Sequence, residues 1–101
     1  MSTPTEVVHN ADHQRFEVQQ DGHLAVLDYR RAGNQIIFTH TGVPGELEGR
    51  GIGSALAKAG LAYARENGLE VVPLCPFVRS YIERKPEYQD MVSKASSGGF
   101  A

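Results

Sequence analysis

Residues 46–68 read ELEGRGIGSALAKAGLAYARENG. Three glycines stand at every second position (Gly49, Gly51, Gly53) and run directly into an alanine- and leucine-rich stretch. Glycine is a poor helix former and alanine the best, so the abutment needs a reason. Ile52, Leu56, Ala59, Gly60 and Tyr63 recur at helical spacing, with Leu61 and Ala64 widening the stripe. Asn67-Gly68 is a helix stop. The stretch predicts a helix that opens at the glycines and buries one face.

On its N-terminal side the period is two. RFEVQQDGHLAVLDYRR reads as a hairpin: Phe16 and Val18 alternate with polar neighbours, and Asp21-Gly22 is a two-residue turn signal. Leu24 and Val26 then point one way, and Ala25, Leu27 and Tyr29 the other. A second turn at Ala32-Gly33-Asn34 leads to a strand over 35–43. There Ile36, Phe38 and His40 alternate with Ile37, Thr39 and Thr41, which predicts two distinct faces. On the C-terminal side, LEVVPLCPF predicts a short apolar strand over 69–75. Pro73 and Pro76 cut it, and because proline donates nothing to a sheet ladder, pairing fails there on at least one side. FVRSYIER and PEYQDMVSKA predict two short helices punctuated by Lys85-Pro86.

The order β-β-β-α-β-α-α places the strand at 69–75 after a helical crossover. It therefore lies parallel to the strand at 35–43, with a right-handed connection. The expected class is α+β, with a mostly antiparallel sheet whose last two strands are parallel and splayed. Residues 1–13 are expected to be weakly ordered or to form a short edge strand, 14–93 to form one domain, and 94–101 to be a flexible tail.

The chain has 101 residues, which suits one domain. Hydrophobic residues make up 41 %, enough for a core, and a net charge of −2 lacks the basic excess of a nucleic-acid binder. No apolar run approaches the ~20 residues of a membrane span. The start, MSTPTEVVHNADHQ, lacks the basic and apolar regions of a secretory signal. Cys75 is the only cysteine, so no internal disulfide forms, and the expected compartment is the cytoplasm. His9, His13, His23 and His40 show no ligand spacing with Cys75, so no metal is expected.

A helix start offers about four unpaired backbone N–H groups and a partial positive charge, a ready site for phosphate. Glycines at 49, 51 and 53 remove the side chains that would crowd a ligand and allow unusual backbone angles. Ser54 adds a hydroxyl and Arg50 a cation. The alternative is a glycine-rich turn that only lets helix and sheet pack closely. Neither G-x-x-x-x-G-K-[ST] nor G-x-G-x-x-G is present.

Val43-Pro44 followed by EGRGIGSAL resembles the acetyl-CoA-binding motif of the GCN5-related N-acetyltransferases, [Q/R]-x-x-G-x-[G/A]. Gly51 and Gly53 fill its glycine positions, and Glu48 stands first, where Gln or Arg is usual. The chain is most similar to small stand-alone members of that family through His40-Thr41, Val43-Pro44, the glycines and the block PLCPFVRSYIERKPEY at 73–88. The resemblance spans about residues 14–90. It implies a truncated form of the family fold that binds acetyl-CoA. The pantetheine arm would lie against Thr41, Gly42 and Val43, and the diphosphate on Glu48, Gly49, Arg50, Gly51, Ile52, Gly53 and Ser54.

Three residues are candidates for chemistry. The resemblance implies that Tyr81, where larger family members carry a tyrosine, would protonate the departing CoA thiolate; the alternative is that it packs a helix onto the sheet. Cys75 is a possible acyl acceptor activated by the following helix start, or a small buried residue. His40, on the strand flanking the cofactor gap, is suited to act as a base near neutral pH, or is a satisfied strand histidine. Gly42 stands where the small members are expected to carry an acid. The implied partners are acetyl-CoA and an unidentified amine or other small acceptor. The readings weighed are an acetyltransferase, a CoA or acyl-CoA module with little or no turnover, and an interaction domain without CoA. The chain is expected to be a monomer or a weak homodimer, the latter through the strand edge beside 69–75.

Overall fold

Asp21 and Gly22 both take left-handed backbone angles, with φ of 51° and 76°, as a tight two-residue hairpin turn requires. They join β2 (Arg15–Gln20) to β3 (His23–Ala32). A second turn, with Gly33 at φ 58°, leads to β4 (Gln35–Gly42). In this computed structural model, which describes residues 5–93, one five-stranded sheet runs in the order β1-β2-β3-β4-β5. Its first strand, β1 (Val8–Asn10), pairs antiparallel with β2. The N-terminal segment thus supplies an edge strand. The expected tail at 94–101 lies outside the described residues.

The helix α1 (Ile52–Glu66) crosses from β4 to β5 (Glu70–Pro73), and β5 pairs parallel with β4. Ile52, Leu56, Ala57, Leu61 and Ala64 of α1 are buried against the sheet. They meet Phe16, Val18, Leu27, Tyr29, Ile36, Phe38 and Val71 in one core. Burying each large side chain contributes about 1.5–3 kcal/mol. Gly60 sets how close the helix lies. A methyl there would stand 2.8 Å from Phe38 Cε1 and 3.1 Å from Leu27 Cδ2.

Two features depart from the expected pattern. The register of β3 against β4 pairs Asp28 with His40 but Tyr29 with Phe38. Thr39 is therefore an extra residue on β4, a bulge that reverses the alternation beyond it. Thr41, opposite the buried Leu27, joins the Ile36–Phe38 face. His40, opposite Asp28, goes to the outer face, which corrects its placement beside Ile36 and Phe38. The second difference is the last helix. Beyond α2 (Pro76–Arg84), the segment Pro86–Met91 is a 3₁₀ helix. It ends because Val92 is extended and forms a parallel bridge with Val71. Ser93 N donates to Val71 O at 2.8 Å. The outer edge of β5, expected to be free for pairing between chains, is thus covered by the chain's own residues 92–93.

The β1 edge is held by rings. His9 stacks on Phe16 with centroids 4.3 Å apart and meets Tyr63 of α1 edge-on at 4.5 Å. Its Nε2 lies 2.6 Å from the Tyr29 hydroxyl. Burial lowers the pKa of His9; it also raises that of Tyr29, helped by the neighbouring Tyr63.

Candidate functional site

Gly49 and Gly51 have φ of 81° and 76°, and a Cβ built at either meets nothing within 4 Å. Left-handed backbone costs a residue with a Cβ roughly 1–2 kcal/mol, so the loop needs glycine at both positions. The same geometry leaves the backbone bare. Gly51 caps α1 without a side-chain bond, and the first described bond into the helix is Ala55 N to Gly51 O, 3.0 Å. Among the described residues no backbone bond engages the N–H groups of residues 49–54. Glu48, Gly49, Gly51, Ile52, Gly53 and Ser54 line a cavity of about 420 Å³, so the positive end of the helix dipole lies beside it; Arg50 is not in its lining.

Gly53 has a different reason to be glycine. A methyl there would stand 2.7 Å from the Phe77 ring. Close packing, the alternative weighed for the glycines, thus explains Gly53, while Gly49 and Gly51 answer to backbone angle and open space.

The opposite wall is the far end of β4. Its pairing with β5 stops at Phe38 and Pro73. Leu74 N turns back to Val72 O at 3.1 Å, and Cys75 N closes onto Phe38 O at 2.9 Å. Proline's missing N–H and this turn end β5 at Pro73, short of the expected residue 75. Beyond Phe38 the side of β4 away from β3 faces no described strand. Thr41 and Val43 line the cavity there. Because the Thr39 bulge turns Thr41 inward, its Oγ1 lies 3.0 Å from Cys75 Sγ. Cys75 is 3 % exposed and is the N-cap of α2, with no side-chain cap bond. Thr41 and the starts of α1 and α2 thus meet at one cavity, and the buried Cys75 thiol touches Thr41 without lining it.

Other sequence candidates lie elsewhere. Arg50 turns from the cavity to the β2–β3 turn, where its guanidinium donates to Asp21 Oδ2 at 2.6 Å and to Gln20 Oε1 at 3.2 Å. Its cation is already partnered. Glu48, an exposed residue, lines the cavity. Tyr81 is buried in the core, with Tyr88 6.0 Å away ring to ring and the Lys85 ammonium 5.8 Å from its centroid. Burial, then the neighbouring Tyr88, raises its pKa. It does not line the cavity, and neither does His40. Gly42 sits on the outer face, where a Cβ would stand 3.1 Å from His40 Nε2. Among the described residues no group of His, Cys, Asp and Glu is arranged to hold a metal ion. None of their helices is long and apolar enough to cross a membrane. Sequence reasoning missed Leu47, buried in the cavity wall, and Phe77. Only the proline-flanked Cys-Pro-Phe run, which forces a helix start beside the thiol, hinted at the latter.

The sequence model of the GCN5-related N-acetyl-transferases matches residues 15–91. The chain belongs to that family. Among curated relatives of this N-acetyltransferase, protein NATD1 of Gallus gallus and that of Mus musculus are each 35 % identical over 86 residues. The match covers 82 % of this chain and 78 % of theirs. A solution structure of a GCN5-like candidate N-acetyltransferase from Staphylococcus aureus superposes with a TM-score of 0.71 at 34 % identity, covering 91 % of each chain. The five-stranded, mostly antiparallel sheet with its parallel last pair matches this family's fold. The family generally uses acetyl-CoA as co-substrate. The fit of the present residues to that group rests on the unengaged N–H groups of residues 49–54 and the open end of β4.

Proposed function

We propose that this N-acetyltransferase grips the diphosphate of acetyl-CoA with the main-chain N–H groups of residues 49–54. The observation that supports the reading is the backbone at Gly49 and Gly51: left-handed, with open space where a Cβ would stand, and leading into a helix start whose N–H groups have no backbone partner among the described residues. Amide groups and helix dipole together stabilise an anion at such a position. The open end of β4 at Thr41–Val43 offers backbone groups to the pantetheine arm, which would direct the thioester toward Thr41 and Cys75.

Bound there, acetyl-CoA would supply an activated thioester: attack by an acceptor nitrogen on its carbonyl carbon breaks the C–S bond, and a proton passes from nitrogen to the departing sulfur. The chain's part is to orient that carbonyl and exclude water, which Leu47, Ile52 and Val43 do with apolar surface. A two-step route would run through Cys75, whose thiol touches the cavity residue Thr41 at 3.0 Å. Its sulfur would bond to the thioester carbon as the CoA sulfur leaves with the thiol proton. The acceptor nitrogen would then take the acetyl group and return a proton to Cys75. The route requires this thiol, 3 % exposed, to open to the cavity. Tyr81 and His40 have no part in this reading: neither lines the cavity, and among the described residues no hydrogen bond ties either to a side chain that does, as one ties Cys75 to Thr41. A second reading, a module that holds CoA with little turnover, is favoured by Gly42: no acid stands between Thr41 and Val43 to take a proton from an amine.

Titration calorimetry with CoA and acetyl-CoA tests the site. The wild type binds both. Gly51→Val fills the cradle and loses about 100-fold or more in affinity, roughly 2.8 kcal/mol. Absence of binding by the wild type at millimolar ligand overturns the reading. Intact-protein mass after incubation with acetyl-CoA separates the routes. An acetyl group gained by the wild type and not by Cys75→Ala supports transfer through the thiol. Amine acetylation at equal rates by both supports direct attack. No acetylation of thiol or amines alongside tight binding supports the module.

A further inference from the structure

The glycine loop has little support of its own. Glu48 N donates to Gly45 O at 3.2 Å, and the next described backbone bond is Ala55 N to Gly51 O. Between them Gly49 and Gly51 stand in left-handed backbone, with open space where a Cβ would be. Glycine loses more freedom on ordering than any other residue, so such a loop keeps one shape only if something outside it holds it. Among the described residues, Arg50 makes the only side-chain hydrogen bonds of residues 48–54. Its Nη1 donates to Asp21 Oδ2 at 2.6 Å and to Gln20 Oε1 at 3.2 Å. Both acceptors belong to the tip of the β2–β3 hairpin: Gln20 ends β2, and Asp21 opens the turn with φ of 51°. His23, just past the turn, places its Nδ1 3.9 Å from Glu46 Oε1 in the 3₁₀ turn Gly45–Leu47. Leu47, fully buried, anchors that turn. The hairpin tip thus reaches both the loop and the turn that leads into it.

We propose that Asp21 is a positioning residue for cofactor binding: through Arg50 it holds the glycine loop in the shape that presents its N–H groups to the diphosphate. The inference rests on the acetyl-CoA reading above, which makes those N–H groups the grip. Ordering the two glycines before the ligand arrives removes that entropy cost from the binding step. The Arg50 and Asp21 side chains are 45 % and 64 % exposed, and an exposed pair adds little to the stability of a whole domain. Its effect is therefore expected on the loop rather than on the fold. The sign of the effect is diagnostic. Asp21 carries a negative charge on the side of the loop from which Arg50 is held, and by Coulomb's law alone its removal would favour an anion. If Arg50 were itself a ligand of the diphosphate, its release from Asp21 would also tighten binding. A positioning role predicts the opposite, weaker binding when the Asp21 charge is removed.

The test is calorimetric affinity for CoA, with amide NMR relaxation of the free protein, on wild type, Asp21→Asn, Arg50→Ala and the double variant. Asn-Gly serves this turn as well as Asp-Gly, so Asp21→Asn keeps the hairpin and removes the charge. Arg50→Ala weakens CoA binding about two- to fivefold, and Asp21→Asn about twofold, the scale of an exposed charge pair. The double variant matches Arg50→Ala, because Asp21 acts only through Arg50. In the free protein the Gly49 and Gly51 amides lose order in Arg50→Ala, their order parameters falling from about 0.85 toward ~0.6. A merely structural pair would lower the denaturation midpoint and leave these amides and the CoA affinity unchanged. Binding of CoA by Asp21→Asn as tightly as by the wild type, or more tightly, overturns this inference and leaves the acetyl-CoA reading standing. So do loop amides as ordered in Arg50→Ala as in the wild type. Failure of the wild type to bind CoA at all overturns both.

Discussion

Gln35–Phe38 of β4 pair with β3 on one edge and β5 on the other, whereas beyond Phe38 only β3 remains, with Thr39 bulged and His40, Thr41 and Gly42 paired on one side. The two halves are consecutive in one strand and do opposite work. The first half carries Ile36 and Phe38, both fully buried, and fixes α1 through the close approach of Gly60. The second half keeps one edge unpaired and turns Thr41 to the thiol. A backbone edge left open within a sheet is a liability unless something bonds to it. Here it faces the cavity and not the surroundings, because Cys75 N reaches back to Phe38 O and starts α2 at that point. The rigid half holds the open half in place.

Substitutions in the two halves should therefore separate stability from binding. Phe38→Ala should have the largest effect, costing about 3–5 kcal/mol of unfolding free energy through the cavity it leaves. Chemical denaturation reads this as a lower midpoint at unchanged slope. Gly60→Ala should come next. Helix propensity favours it by about 1 kcal/mol, but a methyl 2.8 Å from Phe38 Cε1 overpacks the interface, and overpacking costs roughly 1–3 kcal/mol. A net stabilisation would mean that the helix stands further from β4 than described.

Thr41→Val, in the open half, should leave the denaturation midpoint nearly unchanged. On the proposed route through Cys75, it should slow acetylation of that thiol about two- to tenfold, the scale of one hydrogen bond of ~0.5–1.5 kcal/mol. If it destabilises the fold as much as Phe38→Ala, Thr41 belongs to the core and the contrast between the halves fails. The smallest effect is expected at the far edge. Burial lowers the pKa of His9 from its usual 6.5, so the unfolded chain takes up a proton at a pH where the folded chain does not. Stability then falls as pH drops below 6.5 and levels off once the folded pKa is passed. His9→Phe keeps the ring stack and removes the proton. Thermal melts between pH 7.5 and 5.5 should show a smaller loss for the variant than for the wild type, and equal losses would remove His9 as the cause.

Much of this fold was legible because its signals are local. The change from period two at Phe16–Phe38 to helical spacing at Ile52–Ala64 marks the β-to-α switch. The Asp21-Gly22 and Asn67-Gly68 pairs mark the turn and the helix end. The unusual backbone at Gly49 and Gly51 was legible for the same reason: left-handed angles and bare amides are properties of a few adjacent residues. The bulge was not. Thr39 is an ordinary strand residue, and nothing in QIIFTHTGV distinguishes a regular alternation from one reversed after Phe38. His40 was therefore put on the wrong face, and Thr41 was expected to offer backbone alone. The partner of Arg50 was equally hidden, since Asp21 lies 29 residues away in sequence.

The sequence by itself determined the element order, the parallel last pair of strands and the bare helix start, because backbone preference, periodicity and glycine act within a few residues. Tertiary structure alone decided that Thr41 meets Cys75, that Phe77 rests on Gly53 and that residues 92–93 cover the edge of β5. Those contacts join segments about 20 to 35 positions apart, and only the packing of α1 and α2 on one face of the sheet brings them together.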